Sequence, residues 1–213
     1  MIAGFFPATT MPDADWWQAL WPDPAMVLVE MGVQPRMVVV DLCCGDGLFT
    51  APLTQIADSV YAIDIDPAML DCARALVAAV CATNCHFVLA AAMTFDAVVP
   101  EPVDYVFLAN TFHGVPDQLG LARAVVAILK PKGLFGVVNW HRRPREETLV
   151  LGQPRGPRTE MRMEARDVAV IVKPAGLLLN RTIEFPPYHY GAIFAKEGVA
   201  AYITGRHYHD DEA

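Results

Sequence analysis

The sequence is short of charge. Only 19% of its 213 residues are charged, against about 25% in ordinary soluble domains. It is shorter still of base. Sixteen Lys and Arg face 24 Asp and Glu, a formal net charge of −8 with a pI near 5.1, which opposes a nucleic-acid partner, since phosphate backbones are bound by excess positive charge. No uninterrupted apolar run reaches bilayer length. The most apolar window, residues 75–93, is broken by Thr83, Asn84 and His86 and reads as helix, turn and strand rather than a span. The N-terminus, M-I-A-G-F-F-P-A-T-T-M, lacks a basic start, and its apolar stretch is too short for a signal peptide. Five cysteines, an odd count, exclude a complete disulfide framework. Cys81 and Cys85 are four apart with no second pair following, so no zinc pattern and no metal site is expected. A soluble, reduced, cytoplasmic protein is the expectation, with no internal repeat and no low-complexity tract.

What is present is apolar: 54% of residues, with mean hydropathy +0.30. That excludes a disordered chain and points to a sheet buried on both faces. The length fits one domain, or one with a small appendage. Charge is uneven along the chain. Residues 1–140 carry fourteen acids and five bases, whereas 142–166 carry seven arginines and four glutamates. With Pro144, Gly152, Pro154, Gly156 and Pro157, the second stretch reads largely as an exposed loop.

Strand and helix signals alternate. M-V-V-V-D-L (37–42) reads as a buried parallel strand, followed by a loop and a helix over 48–57. Residues 60–65 read as a second strand, and Asp66-Pro67 as an N-cap with proline at the first helical position. The helix after it carries an apolar stripe at Met69, Ala73, Leu76, Val77 and Val80. Residues 86–89 and 103–109 are the third and fourth strands. A helix over 117–129, with Ala122, Val125, Val126 and Leu129 on one face, is ended by Lys130, Pro131 and Gly133. Residues 134–140 form the fifth strand and roughly 160–173 a helix. Strands over 177–185 and 189–196 flank Pro186-Pro187 as an antiparallel pair. The fold class expected is therefore α/β: a doubly wound, mainly parallel seven-stranded sheet with a C-terminal antiparallel hairpin strand. Ligands of such sheets bind outside the strands' carboxyl ends, where strand order reverses.

At that end the first strand runs through Asp41 into Cys43-Cys44-Gly45-Asp46-Gly47, and Asp64 ends the second strand 19 residues after Gly45. Small residues let the backbone approach a ligand closely, and a carboxylate ending the second strand can accept both ribose hydroxyls of an adenosine. A nicotinamide cofactor would use the same acid, but its fingerprint needs a third glycine, and Leu48, Phe49 and Thr50 follow Gly47 instead. Asp41 and Asp46 would oppose a pyrophosphate and suit a ligand with a sulfonium and an α-amino group.

V-V-V-D-L-C-C-G-D-G-L-F-T (38–50) resembles motif I of the class I S-adenosylmethionine-dependent methyltransferases. Y-A-I-D-I-D (61–66) resembles that family's second motif, L-A-N-T-F-H (108–113) falls at its fourth, and L-K-P-K-G-L-F (129–135) resembles the turn before its fifth strand. The resemblance spans roughly 35–196 and divides the chain into an N-terminal helical cap (1–34) and a Rossmann-like domain (35–213). It implies S-adenosylmethionine as cofactor, with Asp41 beside its methionine end, Cys43, Gly45 and Gly47 as the loop beneath it, Asp64 on the ribose, Ile65 against the adenine, and Asn110 to His113 bordering the methionine and the methyl. It implies methyl transfer to a small-molecule acceptor by in-line displacement. The alternative is a non-catalytic protein that binds S-adenosylmethionine or S-adenosylhomocysteine in the same fold. Two departures stand out. Cys43 occupies the place of the family's first glycine, and A-A-A-M-T (90–94) lacks the acid that often reads the adenine; backbone groups or Asp96 are the substitutes.

A general base is needed only for a protonated acceptor. His113, after the fourth strand, is the first candidate for base or acceptor-orienting group, and the competing reading is a loop histidine that shapes the pocket. His141, after the fifth strand, is the second, and Tyr188, His189 and Tyr190 of the terminal hairpin are the third. Trp16, Trp17 and Trp21 either exclude water from the site or dock a helix through Trp17 and Trp21. Arg142, Arg143 and Arg145 either grip an anionic acceptor or form a solvated loop with Glu146 and Glu147. Cys43 and Cys44 read as small buried residues rather than reactive thiols, and H-Y-H-D-D (207–211) as a polar terminus.

Overall fold

A computed structural model describes residues 11–197. The readings of the first ten residues and of 207–211 lie outside the described residues. Two short helices come first, α1 (Ala14–Leu20) and α2 (Pro24–Glu30). Strand β1 (Val38–Leu42), helix α3 (Thr50–Ile56), strand β2 (Ser59–Asp64), helix α4 (Pro67–Ala79) and strand β3 (Cys85–Leu89) follow. Strand β4 (Val103–Ala109), helix α5 (Gln118–Ile128) and strand β5 (Leu129–Trp140) complete the alternating part. A two-stranded ribbon, β6 (Leu149–Val150) with β7 (Gln153–Pro154), then α6 (Ala165–Val172) and the hairpin β8 (Leu177–Phe185) and β9 (His189–Lys196) end the described chain. No helix among the described residues is long and apolar enough to cross a membrane.

Seven strands form one sheet in the order β3-β2-β1-β4-β5-β9-β8. The first five are parallel, and β9 runs antiparallel between β5 and β8. This is the doubly wound sheet expected. Strand order reverses between β1 and β4, which opens a crevice over the ends of those two strands.

Side chains alternate between the two faces as strand geometry requires. Val40, Leu42, Val106 and Leu108 face α5 and α6 in one core. Val39, Tyr105 and Phe107 face the other, where Trp17, Trp21, Leu28 and Met31 are buried against them. The Tyr105 hydroxyl donates to the Met31 carbonyl at 2.7 Å, which ties the chain after α2 to the sheet. Three helices start alike: the carboxylates of Asp23, Asp66 and Asp117 accept backbone N–H groups at the N-termini of α2, α4 and α5, each satisfying a donor that the helix leaves open.

Two local expectations are corrected. On α4 the buried residues are Leu70, Ala73 and Val77, while Leu76 and Val80 are 42% and 40% exposed; the buried stripe keeps Ala73, which meets Gly47 in the loop after β1, and Val77, but runs through Leu70 rather than Leu76 and Val80. On α5 the buried face is Leu121, Ala122, Val125 and Ile128. Leu129 already belongs to β5, which pairs with Val103 before a shift in register, so Lys130 to Gly133 sit within an irregular strand rather than a loop.

Candidate active site

A cavity of about 620 Å³ lies over the crevice, within the ~300–1,000 Å³ range of small-molecule sites. Asp41, Cys43, Gly45, Asp64, Ile65, Asn110 and His113 all line it, so one space gathers residues that span seventy positions of sequence. Gly47 and His141 do not.

The floor is the loop after β1. Its backbone is left-handed at Cys43 (φ 59°), Gly45 (56°) and Gly47 (91°). That conformation costs an L-residue other than glycine about 1–2 kcal/mol, so Cys43 carries a strain that glycine would avoid. Gly47 works from below the cavity. A Cβ there would lie 2.6 Å from the Ala73 Cα, so its missing side chain is what lets α4 pack under the loop. Burial pushes the Cys43 and Cys44 thiols far above their usual range, with Asp41 and Asp64 adding to the effect. Both stay protonated and unreactive.

Asp64 holds the loop's shape. One carboxylate oxygen accepts the Gly45 N–H and the other the Asp66 N–H, both at 2.9 Å. Each oxygen keeps a lone pair for a ligand hydroxyl. Asp41 is 2% exposed and accepts the Thr50 hydroxyl at 2.6 Å. Burial raises its carboxyl to about 7 against the opposing Thr50 bond, with Asp64 and Asp46 reinforcing the rise. Asp46, Asp66 and Met69 also line this end, as does Ala92, the cavity's contact with the 90–94 stretch. Asp96 is not among the lining residues.

Asn110 follows β4 in the left-handed region (φ 58°), which asparagine tolerates better than most residues. Its backbone N–H reaches the Val138 carbonyl at 2.8 Å. Both polar atoms of its side chain are buried without a partner among the described residues. Such orphaned atoms are rare in native structures and point to a missing ligand. His113 sits in the next short turn, and its Nδ1 is 3.0 Å from Asn139 Oδ1. That oxygen also accepts the Trp140 N–H, so His113 Nδ1 donates and Nε2 is the ring nitrogen left to accept. Burial lowers the His113 pKa further than the Asn139 bond raises it, and Arg162 adds to the lowering. The imidazole is neutral near pH 7.

Among the other candidates, His141 places its two nitrogens 3.0 and 2.9 Å from Glu164 and Glu184, an anchor outside the cavity. His189 and Tyr190 are buried in the core, while Tyr188 donates to the Leu149 carbonyl and stacks on Trp140. None of the three lines the cavity. The tryptophans divide: Trp16 and Trp17 form cavity wall, whereas Trp21 packs on Phe49 and His189.

The arginine-rich stretch is largely loop, short turns and ribbon with many exposed residues, as expected, but it is built around one buried arginine. Arg162 is 1% exposed. Its guanidinium donates to the carbonyls of Pro157, Arg143 and Arg155 and to the Thr148 hydroxyl, and it lies 5.0 Å over the Trp140 ring. This one side chain gathers 143–157 into a wall that places Arg145, Arg155 and Pro157 at the cavity. Arg142 is committed elsewhere, to Asp167 and the Arg162 carbonyl. Arg155 had no mark in the sequence beyond being one of seven arginines; only its cation-rich neighbourhood hinted at it.

Residues 39–133 match the family model described as a methyltransferase domain. Over that stretch the chain is similar to a methyltransferase domain. It is 28% identical over 110 residues to a ubiquinone biosynthesis O-methyltransferase of Xanthomonas campestris, covering 52% of this chain and 46% of that protein. It is 31% identical over 109 residues to a demethylmenaquinone methyltransferase of Shouchella clausii, covering 49% and 45%. The chain thus spans about half the length of the curated relatives it matches. A methyltransferase structure from Aquifex aeolicus superposes with a TM-score of 0.71 at 24% identity, covering 84% of this chain and 92% of that one, which establishes the class I methyltransferase fold.

Proposed function

We propose that this domain binds S-adenosylmethionine in the cavity and transfers its methyl group to a small-molecule acceptor. The observation that carries this reading is the convergence, over the ends of β1, β2 and β4, of buried Asp41, doubly anchored Asp64 and the unpartnered Asn110 amide. Asp64 would take the ribose hydroxyls on its free lone pairs. Ile65 and Ala92 offer apolar contact to the adenine. Asp41 and Asp46 supply negative charge for the sulfonium and α-ammonium, and a cation beside Asp41 favours its ionised form. The Asn110 amide has both a donor and an acceptor for the amino-acid end. When bound, the cofactor supplies an electrophilic methyl group that carries its own leaving group.

The protein's share of the chemistry is then alignment, water exclusion and, for a protonated acceptor, proton removal. Trp16, Trp17 and Phe49 provide the dry wall. His113, neutral and held at Nδ1, takes the proton at Nε2. The cavity volume and the net charge of −8 both favour a small acceptor over nucleic acid, as do the names of the ubiquinone and demethylmenaquinone relatives. The five free cysteines fit a reducing cytoplasm.

Titration calorimetry with S-adenosylhomocysteine tests the reading. The wild-type protein is expected to bind, and Asp64→Ala to weaken binding by about 1–3 kcal/mol, the scale of hydrogen bonds to a charged group. A silent wild-type titration would remove the proposal. Binding without transfer to any acceptor in a broad screen would leave the non-catalytic alternative standing.

A further inference from the structure

The wall built after β5 carries cations that form no ion pair among the described residues; Glu146 acts on Arg162 only without direct contact. Arg145 donates its Nε–H to the Gly156 carbonyl at 3.1 Å and forms no ion pair among the described residues. The Arg155 side chain has no hydrogen-bond partner there, and its Nε is buried and unsatisfied. Its guanidinium lies 5.2 Å over the Trp16 ring. Stacking of this kind holds the plane of the group while leaving its donor edge unused. Arg162 stands behind both with its charge bonded only to neutral oxygens. Unmet buried guanidinium donors are costly unless a ligand supplies acceptors.

Topology fixes where these donors stand. Asp64 ends β2, His113 follows β4, and the arginines follow β5, in the sheet order β2-β1-β4-β5. Neighbouring strands are about 4.8 Å apart, so Asp64 and the base of the arginine wall are separated by three spacings, roughly 14 Å. His113 lies between them. Trp16, Trp17, Phe49 and Trp140 give the same space flat apolar surfaces.

We propose that Arg155, with Arg145, forms a subsite for an oxyanion, carboxylate or phosphate, carried by a flat small-molecule acceptor, and that gripping this group turns the acceptor's nucleophilic atom toward His113. The proposal rests on the methyl-transfer reading for the acceptor's role, and on the unpartnered guanidinium for its chemistry. Arg155 is a specificity residue in this scheme, and it touches the acceptor rather than the methyl donor.

The test is calorimetry on the full chain saturated with S-adenosylhomocysteine, titrated with benzoate, phenyl phosphate and the neutral isostere benzamide. At least one of the two anions is expected to bind tenfold or more tightly than benzamide, and the stronger of the two names the oxyanion. Arg155→Gln is expected to abolish that preference while changing S-adenosylhomocysteine affinity less than twofold. Arg145→Gln gives an independent second variant with the same expected direction. Equal binding of the anions and benzamide overturns the subsite. So does an Arg155→Gln protein that loses S-adenosylhomocysteine as severely as benzoate, because the arginine would then serve the cofactor's own carboxylate. If the wild type does not bind S-adenosylhomocysteine, the methyl-transfer reading fails instead, and the same three titrations of the unloaded protein still decide the subsite.

Discussion

Along the rim of the sheet, carboxylates gather over β1 and β2 and guanidinium groups stand beyond β5. The acidic end is made from one stretch of chain, 41–66, whose turns are short and whose bonds are local: Asp64 to Gly45 and Asp66, Asp41 to Thr50. The basic end is made from 143–162, and it is held by a single buried side chain, Arg162, that reaches four different residues. A rigid, locally encoded wall suits a ligand that is always the same. A wall hung on one arginine can be rebuilt by changing the segment around it without touching the other end, which is how one fold can serve different acceptors.

The largest expected effect lies at the boundary between the ends. His113→Ala is expected to lower the methyl-transfer rate by about 10²–10⁴-fold while leaving S-adenosylhomocysteine affinity unchanged; stopped assays with a protonated acceptor read the first and calorimetry the second. An equal loss of both would make His113 part of the cofactor's wall.

Next is Arg162. Replacing it with methionine removes a buried cation and strands several carbonyls, each costing about 1–3 kcal/mol when left unsatisfied. Arg162→Met is therefore expected to destabilise the protein by about 3 kcal/mol or to free residues 143–162 for limited proteolysis, with the acidic end unaffected. Denaturant unfolding and a timed digest distinguish the two outcomes, and a variant that does neither would deny Arg162 its organising role.

The acidic end was legible before the structure because its geometry follows from adjacent residues. An acid at each strand end and small residues between them are visible as spacing, and the structure brings Asp41, Cys43, Gly45, Asp64, Ile65 and Asn110 around one cavity. Gly47 does not line the cavity; its missing side chain makes room for Ala73 instead, which depends on how α4 lies. The basic end was legible only in part: of the three arginines the sequence offered, Arg145 lines the cavity while Arg142 and Arg143 do not, and nothing singled out Arg155 or Arg162. Arg162 bonds to carbonyls and a hydroxyl, which every sequence has, so no residue pattern separates it from Arg142 or Arg158. The α4 stripe was right at Ala73 and Val77 but missed Leu70 and took in Leu76 and Val80, because apolar side chains on both sides of the helix leave the phase of its buried face open.

A pH experiment sharpens the contrast further. Folding raises the Asp41 carboxyl to about 7, so the stability this group contributes is complete below its unfolded value near 4 and is lost as pH rises through 7. Cation binding has the opposite sign, because it needs the carboxylate. Affinity for S-adenosylhomocysteine, through its α-ammonium, is expected to fall by up to about tenfold per unit below pH 7, one proton being displaced. Asp41→Asn should flatten that profile, and an unchanged slope in the variant would move the titration to another group. The anion preference of the arginine wall should not follow this profile.

The smallest effect is expected at Cys43. Cys43→Gly relieves left-handed strain of about 1–2 kcal/mol but frees the unfolded chain and removes packing, so the net change in stability is expected to stay within about 1 kcal/mol. Chemical denaturation measures it. A larger loss would mean that the buried thiol contributes more packing than its size suggests.

The placement of β9 has a consequence for how the protein is made. Because β9 pairs with β5 on one side and β8 on the other, the strand that covers β5 is the last of the seven to be synthesised. A nascent chain that has completed β1 to β5 presents β5 as a bare edge with unpaired backbone groups, the kind of surface that recruits other strands. It stays bare until residues 189–196 leave the ribosome. During that interval β5, whose carboxyl end forms part of the cavity at Trp140, depends on chaperones or on speed.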